Sequence, residues 1–401
     1  MKKINILFIA VLISISTTTY AQLAMGKWRT HLAYNNVGQI AQTENKIFAV
    51  SEGSLFSVDK VDFGLEFYSK VSGLNDNNIS RIEYDNLSKQ LLIVYANGNI
   101  DLLSSGGVVN IIDLYIKQMS SSKKINNITF YGDFAYLSMD FGILVINMKK
   151  REIADTYFIG ANATEVKVLN TVINNSKIYA ASASTIYSSN ANHPNLVNYE
   201  YWNTMSGLPS SGNIQMLTTF DGKLLLQRNG KLYLQNSDQT WTPILTDQTV
   251  SYLSISGNNL FILNSSNQLY LVDKQLNKTL LEGMGAVSDT EYDLSAKTCW
   301  FAGKDQGVIS YNMTSATPEI QKFKPAGPAV NVPWDMTFGG QKLFVVQGGR
   351  WSAQYNKPGL VMIYENGTWT NITASQISSV TGVPPLDFMN IAVDPADNKH
   401  F

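Results

Sequence analysis

The sequence predicts an all-β protein: a seven-bladed β-propeller of four-stranded blades, followed by the start of a second propeller. Three observations carry this. Apolar segments open at Ile47, Leu91, Phe134, Ile178, Leu224, Leu260, Cys299 and Leu343, at intervals of 44, 43, 44, 46, 36, 39 and 44 residues. Each opening begins a hairpin whose turn is short and carries Gly or Asn, a strong local β-hairpin signal. No helical period interrupts the pattern, and a four-stranded unit every 40 to 50 residues is the signature of propeller blades.

The elements follow in order. In the first blade Lys46-Ile47-Phe48-Ala49-Val50, Ser51-Glu52-Gly53 and Ser54-Leu55-Phe56-Ser57-Val58 read as strand, turn and strand. Lys223 to Gln227, Asn229-Gly230 and Lys231 to Leu234 repeat the form. A further strand precedes each hairpin, as in Ile79 to Tyr84, Ile214 to Phe220 and Val250 to Ile255. An aromatic-rich outer strand follows, as in Glu66-Phe67-Tyr68, Tyr201-Trp202 and Thr240-Trp241-Thr242. Stacking such blades in a closed ring buries the faces of each against its two neighbours.

The seven openings from Ile47 to Cys299 fit one ring. The segment from Gly26 to Leu32 reads as an outer strand with no inner strands before it, and is expected to complete the last blade; Glu319 to Lys324 competes for that place. An eight-bladed ring is the alternative. Pro318, Pro325, Pro328 and Pro333 mark residues 317–333 as a linker. The expected divisions are therefore 1–21 as a signal peptide, 22–316 as the propeller, 317–333 as the linker and 334–401 as the first blade of a second, truncated ring. Within the last, Phe388 to Val393 reads as a further inner strand, and the chain is expected to be the N-terminal part of a longer protein.

Composition sets bounds on chemistry. Of 401 residues, 44% are hydrophobic and 15% charged, which excludes a disordered chain. Lys plus Arg number 30 against 31 Asp plus Glu, which argues against a nucleic-acid partner. Three histidines and one cysteine exclude zinc clusters and disulfide frameworks. No metal or cofactor is expected. Carboxylates, hydroxyls, amides and aromatics remain, groups that bind glycans without identifying an enzyme.

Lys2 and Lys3, an apolar run from Ile4 to Ile15 and a small-residue stretch ending at Ala21 read as a secretory signal peptide. The run is too short for a transmembrane helix, which needs about 20 apolar residues. An exported protein follows, with 28 basic against 31 acidic residues once Lys2 and Lys3 are removed. Cys299, in Thr298-Cys299-Trp300-Phe301, is expected to be a buried core thiol.

One hairpin departs from its siblings. Between Phe344-Val345-Val346 and Leu360-Val361-Met362 lie thirteen residues, Gln347 to Gly359, where the others use about three to five. Long loops in compact domains are functional or disordered. Trp351 and Tyr355 suit stacking on sugar faces, and Arg350 and Lys357 suit pairing with a phosphate or carboxylate. These four form the candidate ligand or partner site. His31 and His193 read as surface residues. The carboxylate pairs Asp289/Glu291 and Asp59/Asp62 have the composition for acid/base work, which also needs a shifted pKa and a partner across the site, and sequence spacing shows neither. No catalytic residue is assigned, and no enzyme is expected. The outer-strand tryptophans recur with the repeat and read as blade packing.

Two stretches support a resemblance. Tyr68-Ser69-Lys70-Val71-Ser72-Gly73-Leu74-Asn75, with Ile79 following, and Trp202-Asn203-Thr204-Met205-Ser206-Gly207-Leu208-Pro209, with Ile214 following, resemble the repeat of two-component regulator propellers. Lys27 to Asn36, the Gly53-Ser54-Leu55-Phe56 turn and Gly349-Arg350-Trp351 are more closely similar to the N-terminal part of the PorZ-like family of type IX secretion components of Bacteroidetes. That family pairs two seven-bladed propellers with a C-terminal sorting domain. The resemblance implies a non-enzymatic recognition and scaffold component at the outer-membrane surface, in the attachment complex. Its implied partners are the other attachment-complex proteins including the sortase, and anionic lipopolysaccharide, with the chain assisting sortase-mediated cargo modification. The alternative it implies is the extracytoplasmic glycan-sensing propeller of a hybrid two-component regulator.

Overall fold

A computed structural model describes residues 28–209, 212–284, 286–315, 317–349, 355–394 and 396. The expected signal peptide, residues 1–21, lies outside them. The described chain divides into two compact units, residues 33–326 and residues 28–32 with 327 onward.

The first unit is a ring of seven four-stranded antiparallel sheets. In the first blade β1 (Val37–Gln42), β2 (Lys46–Ser51), β3 (Ser54–Asp59) and β4 (Leu65–Tyr68) pair in sequence order. Ser51 pairs directly with Ser54, which leaves Glu52 and Gly53 as a two-residue turn. Both have positive φ, +48° and +76°, the geometry whose twist matches a hairpin. Asn229 and Gly230 close the hairpin of the fifth blade in the same way.

The other inner strands are β5 (Ile79–Asp85), β9 (Ile125–Tyr131), β13 (Asn170–Asn174), β17 (Ile214–Phe220), β21 (Val250–Ser256) and β25 (Val287–Asp293). Each contacts the next, and β25 contacts β1, so the ring is closed. In β17, β21 and β25 the first, fourth and seventh residues are buried and those between face water in part. The second strand of each blade is covered on both sides by neighbouring blades. β2, β6 (Gln90–Tyr95) and β26 (Thr298–Gly303) are accordingly buried almost throughout, while outer strands such as β4 are exposed. The core is a set of apolar layers between blades, as where Leu92 and Val94 meet Ala135 and Leu137. Cys299 is fully buried in one of these layers, as expected, and burial pushes its thiol up to about 12.

The structure explains the Gly-Leu motif. Gly73 adopts φ +108° and Gly207 φ +70° at the end of the passage from one outer strand to the next inner strand. Leu74 then packs with Ile79 and Ile82, and Leu208 with Ile214 and Leu217. Trp202 is buried, donating from Nε1 to the Leu196 carbonyl at 2.9 Å, which bears out packing as its role.

Three expectations are corrected. The seventh sheet is completed by β28 (Glu319–Phe323), which pairs with β27 (Gly307–Asn312), and not by the N-terminal segment. The Pro-rich stretch 317–333 therefore contributes a blade strand before it becomes a connection. Residues 28–32 form no strand and pack in the second unit, where Trp369 Nε1 donates to His31 Nδ1 at 3.0 Å and Arg29 Nη1 to the Tyr364 hydroxyl at 3.3 Å. His31 is exposed, as expected, with its ring lying against Tyr364 and Trp369.

The second unit holds an eighth four-stranded sheet, β29 (Asp335–Gly339), β30 (Lys342–Val346), β31 (Leu360–Glu365) and β32 (Thr368–Thr373). This is the start of a second propeller. A helix, Ala374–Thr381, follows; the sequence reading held none. Thr373 and Gln376 close a capping box at its start, and Gly382 at φ +76° ends it. Phe388 to Val393 is not a strand but an extended segment, with Phe388, Ile391 and Val393 packed against Phe344 and Val346.

Candidate functional site

The long loop of the eighth sheet has a rigid stem. Asp387 accepts from the Asn356 and Lys357 amides at 3.0 and 2.8 Å, and its own N–H donates to the Lys357 carbonyl at 2.9 Å. Gly348 N–H donates to the Phe388 carbonyl at 3.0 Å and Gly359 N–H to the Pro385 carbonyl at 2.7 Å. Gly348 has φ +72°, and a Cβ there would lie 2.5 Å from the Trp334 ring, so only glycine fits. On this stem Tyr355 is exposed, and Lys357 makes no ion pair among the described residues. Arg350 and Trp351 lie outside the described residues.

The other candidate is the axis of the seven-bladed ring. A chamber of about 880 Å³ runs there, lined by all seven inner strands. Side chains near the start of these strands, the third residue of β1 and the first of β13, reach the main chain of the next blade. Gln39 exchanges two hydrogen bonds with Ile82, each 2.9 Å, and Asn170 does the same with Leu217, accepting from its N–H at 3.1 Å. Asp289 holds the equivalent place between the seventh blade and the first, where it accepts from Ile40 N–H at 3.0 Å. An amide both donates and accepts across such a gap; a carboxylate only accepts. The same boundary carries a buried ion pair, Lys60 to Asp293 at 2.8 Å.

Asp289 and Glu291, a pair singled out by spacing, both face this chamber. Glu83 joins them on its wall, and Arg81 stands two residues from Glu83 on β5. The sequence reading missed Arg81 and Glu83; they are the third and fifth residues of β5, the places that Asp289 and Glu291 respectively hold in β25. Burial pushes the Asp289 carboxyl up to about 6, against the pull of the Ile40 and Thr290 amides. Burial and the Asp289 charge push Glu291 up to about 7, opposed by a 2.6 Å bond from the Ser256 hydroxyl. Glu83 is also raised, by burial first and then by Glu291 and Asp289. Tyr252 donates to Asp289 at 3.3 Å. The Asp59/Asp62 pair is different: its carboxylates accept from the Val61 and Gly64 amides at 2.8 Å and shape a turn. His193 Nδ1 likewise accepts from the Asn195 amide at 3.1 Å, beside Tyr201. Among the described residues no group of three His, Cys, Asp or Glu side chains is arranged to hold a metal ion.

Residues 47–203 match the family model of the type IX secretion PorZ N-terminal β-propeller domain. Among solved structures, PorZ of Porphyromonas gingivalis, described as an essential bacterial surface component of the type IX secretion system, aligns at a TM-score of 0.79 and 25% identity, over 88% of this chain and 47% of its own. The chain is similar to PorZ in sequence over residues 47–203 and in fold over most of its length. It spans about half the length of the PorZ structure it matches. Residues 154–292 also match a model described as the DUF6242 β-propeller domain. The extracellular domain of a protein described as a hybrid two-component system of B. thetaiotaomicron aligns at a TM-score of 0.54 and 14% identity, over 84% of this chain and 47% of its own. The WD40 propeller domain of Doa1 aligns at 0.52 and 14%, over 72% and 95%. These two likenesses show the fold alone. No curated protein sequence matches the chain. The PorZ-like match begins at β2 and runs through the first four blades, so it covers neither the long loop nor β25.

Proposed function

We propose that this chain is the propeller part of a non-enzymatic recognition and scaffold component of type IX secretion, exported to the outer-membrane surface. Its partners there are the other attachment-complex proteins, the sortase included. The observation that carries the reading is the PorZ-like ring, aligned over 88% of the chain. The ligand is anionic lipopolysaccharide, whose delivery assists sortase-mediated modification of cargo. The long loop supplies the contact: Tyr355 is exposed on a stem clamped by Asp387, and Arg350, Trp351 and Lys357 belong to the same thirteen residues. Guanidinium and ammonium groups pair with phosphate or carboxylate, and the aromatic rings stack on sugars. No helix among the described residues is long and apolar enough to cross a membrane.

Binding of lipopolysaccharide purified from the source bacterium, measured for the full-length protein and for Arg350→Ala/Trp351→Ala, tests this directly. Saturable binding weakened about tenfold or more by the double change is expected, since each charged contact contributes 1.5–3 kcal/mol on the order of magnitude. Saturable binding that survives the double change moves the site off the loop. Absence of binding by the wild type removes the ligand.

A further inference from the structure

The long loop is basic, whereas the axial chamber is acidic. Glu83, Asp289 and Glu291 face one guanidinium, Arg81, across its wall. Glu83 and Arg81 are half-buried on the chamber wall and make no hydrogen bond or salt bridge with any described residue. Thr290, on the same wall, is only 2% exposed, and its hydroxyl beside Tyr252 is left without a hydrogen-bond partner. Buried polar atoms in folded proteins are nearly always paired, so the unmatched Thr290 hydroxyl beside these carboxyls marks the wall as built for an occupant. The opposite wall is neutral and rich in amides and hydroxyls: Asn126, Asn127, Thr129, Gln215, Thr218 and Thr219. A volume of about 880 Å³ lies within the range of small-molecule sites.

We propose that the chamber is a second binding site, for a polyhydroxylated amine such as a short glucosamine oligosaccharide, with its ammonium groups held by Glu83, Asp289 and Glu291 and its hydroxyls by the amide wall. The carboxylate excess rejects phosphates and uronic acids, so the chamber and the loop select opposite charges. The raised pKa values of Asp289 and Glu291 mean that the chamber gathers protons and loses negative charge as pH falls from 7 to 5. Arg81 and Tyr252 are the other ionisable groups facing these carboxylates, with Lys60 acting on Glu291 and Glu52 farther along the wall.

The test is calorimetric titration of the intact chain with the trisaccharide of glucosamine and with its fully N-acetylated counterpart, which keeps the ring hydroxyls and lacks the charge. The glucosamine form binds at pH 7 and the acetylated form about tenfold more weakly. Glu83→Gln weakens binding about tenfold, and Arg81→Met, which removes the opposing charge, strengthens it. Glu66→Gln, a change on the exposed outer strand β4, has no effect. The proposal fails if the glucosamine trisaccharide does not bind, if both forms bind equally, or if Glu83→Gln, checked for an unchanged melting temperature, leaves the affinity where it was. Should that variant unfold, unchanged affinity in Arg81→Met overturns the proposal instead.

Discussion

The seven sheets of the ring and the eighth sheet share one topology and differ in what covers them. In the ring each interblade layer buries about ten apolar side chains; Phe261 and Phe301 meet edge to face at 5.9 Å and are both fully buried. In the eighth sheet, Phe344, Val346 and Val361 form a small buried cluster, and inner strand β29 leaves Phe338 75% exposed and Met336 54% exposed. A blade is thus not a self-sufficient unit. Its stability comes from neighbours on both faces, as in other repeat architectures.

Truncation separates the two regions most sharply. Phe261→Ala is expected to destabilise the ring by about 3–5 kcal/mol, since it opens a cavity between the sixth and seventh blades. Phe338→Ala should change the stability of the second unit by less than about 0.5 kcal/mol. Chemical denaturation of both variants checks this, and similar losses at the two sites would erase the distinction.

The closing boundary of the ring comes next. Lys60→Ala leaves Asp293 buried without its cation and is expected to cost about 3 kcal/mol. Lys60, with Ser295 and the Ala296 amide, holds the Asp293 carboxyl down at about 2, so its stabilisation is present above the unfolded value near 4 and is lost as pH falls toward 2. Asp289 and Glu291 act in the opposite sense. Their raised values mean that the folded ring binds protons more readily than the unfolded chain, so stability falls as pH rises from about 4 through 7. Melting curves between pH 4.5 and 8 should show the ring losing about 2–4 kcal/mol, and Glu291→Gln should flatten the profile. A profile rising with pH across that window would contradict the chamber electrostatics.

The smallest effect concerns the interblade bond itself. Asp289→Asn supplies the donor that Gln39 and Asn170 already provide at equivalent boundaries, and removes a buried charge. It should stabilise the ring by about 1 kcal/mol at pH 8, and by less at pH 5, where Asp289 is already protonated. No change at either pH would mean that the side chains bridging neighbouring blades do not set the stability of the boundaries.

Legibility in the sequence follows the same division. The hairpins could be read because turn residues such as Glu52-Gly53 and Asn229-Gly230 fix the register and the strands they join are buried almost throughout. Ring closure could not be read, because outer strands are exposed and carry little pattern. β28 buries none of its residues, so no pattern in Glu319 to Lys324 outweighed the segment ending at Leu32, which was expected to take the place. Asp289 and Glu291 stood out as neighbours in sequence. Glu83 comes to their side only through ring closure, about 200 residues away in the chain, and no local spacing announces it. The helix Ala374–Thr381 was missed because it is short and buries no residue.

The central claim, a PorZ-like role in secretion, is tested most directly in the source bacterium by deleting the gene and measuring type IX cargo at the cell surface, with complementation by the wild-type gene and by Arg350→Ala/Trp351→Ala. The account predicts loss of surface cargo on deletion, full recovery with the wild type and partial recovery with the double variant. Normal cargo at the surface of the deletion strain would contradict it.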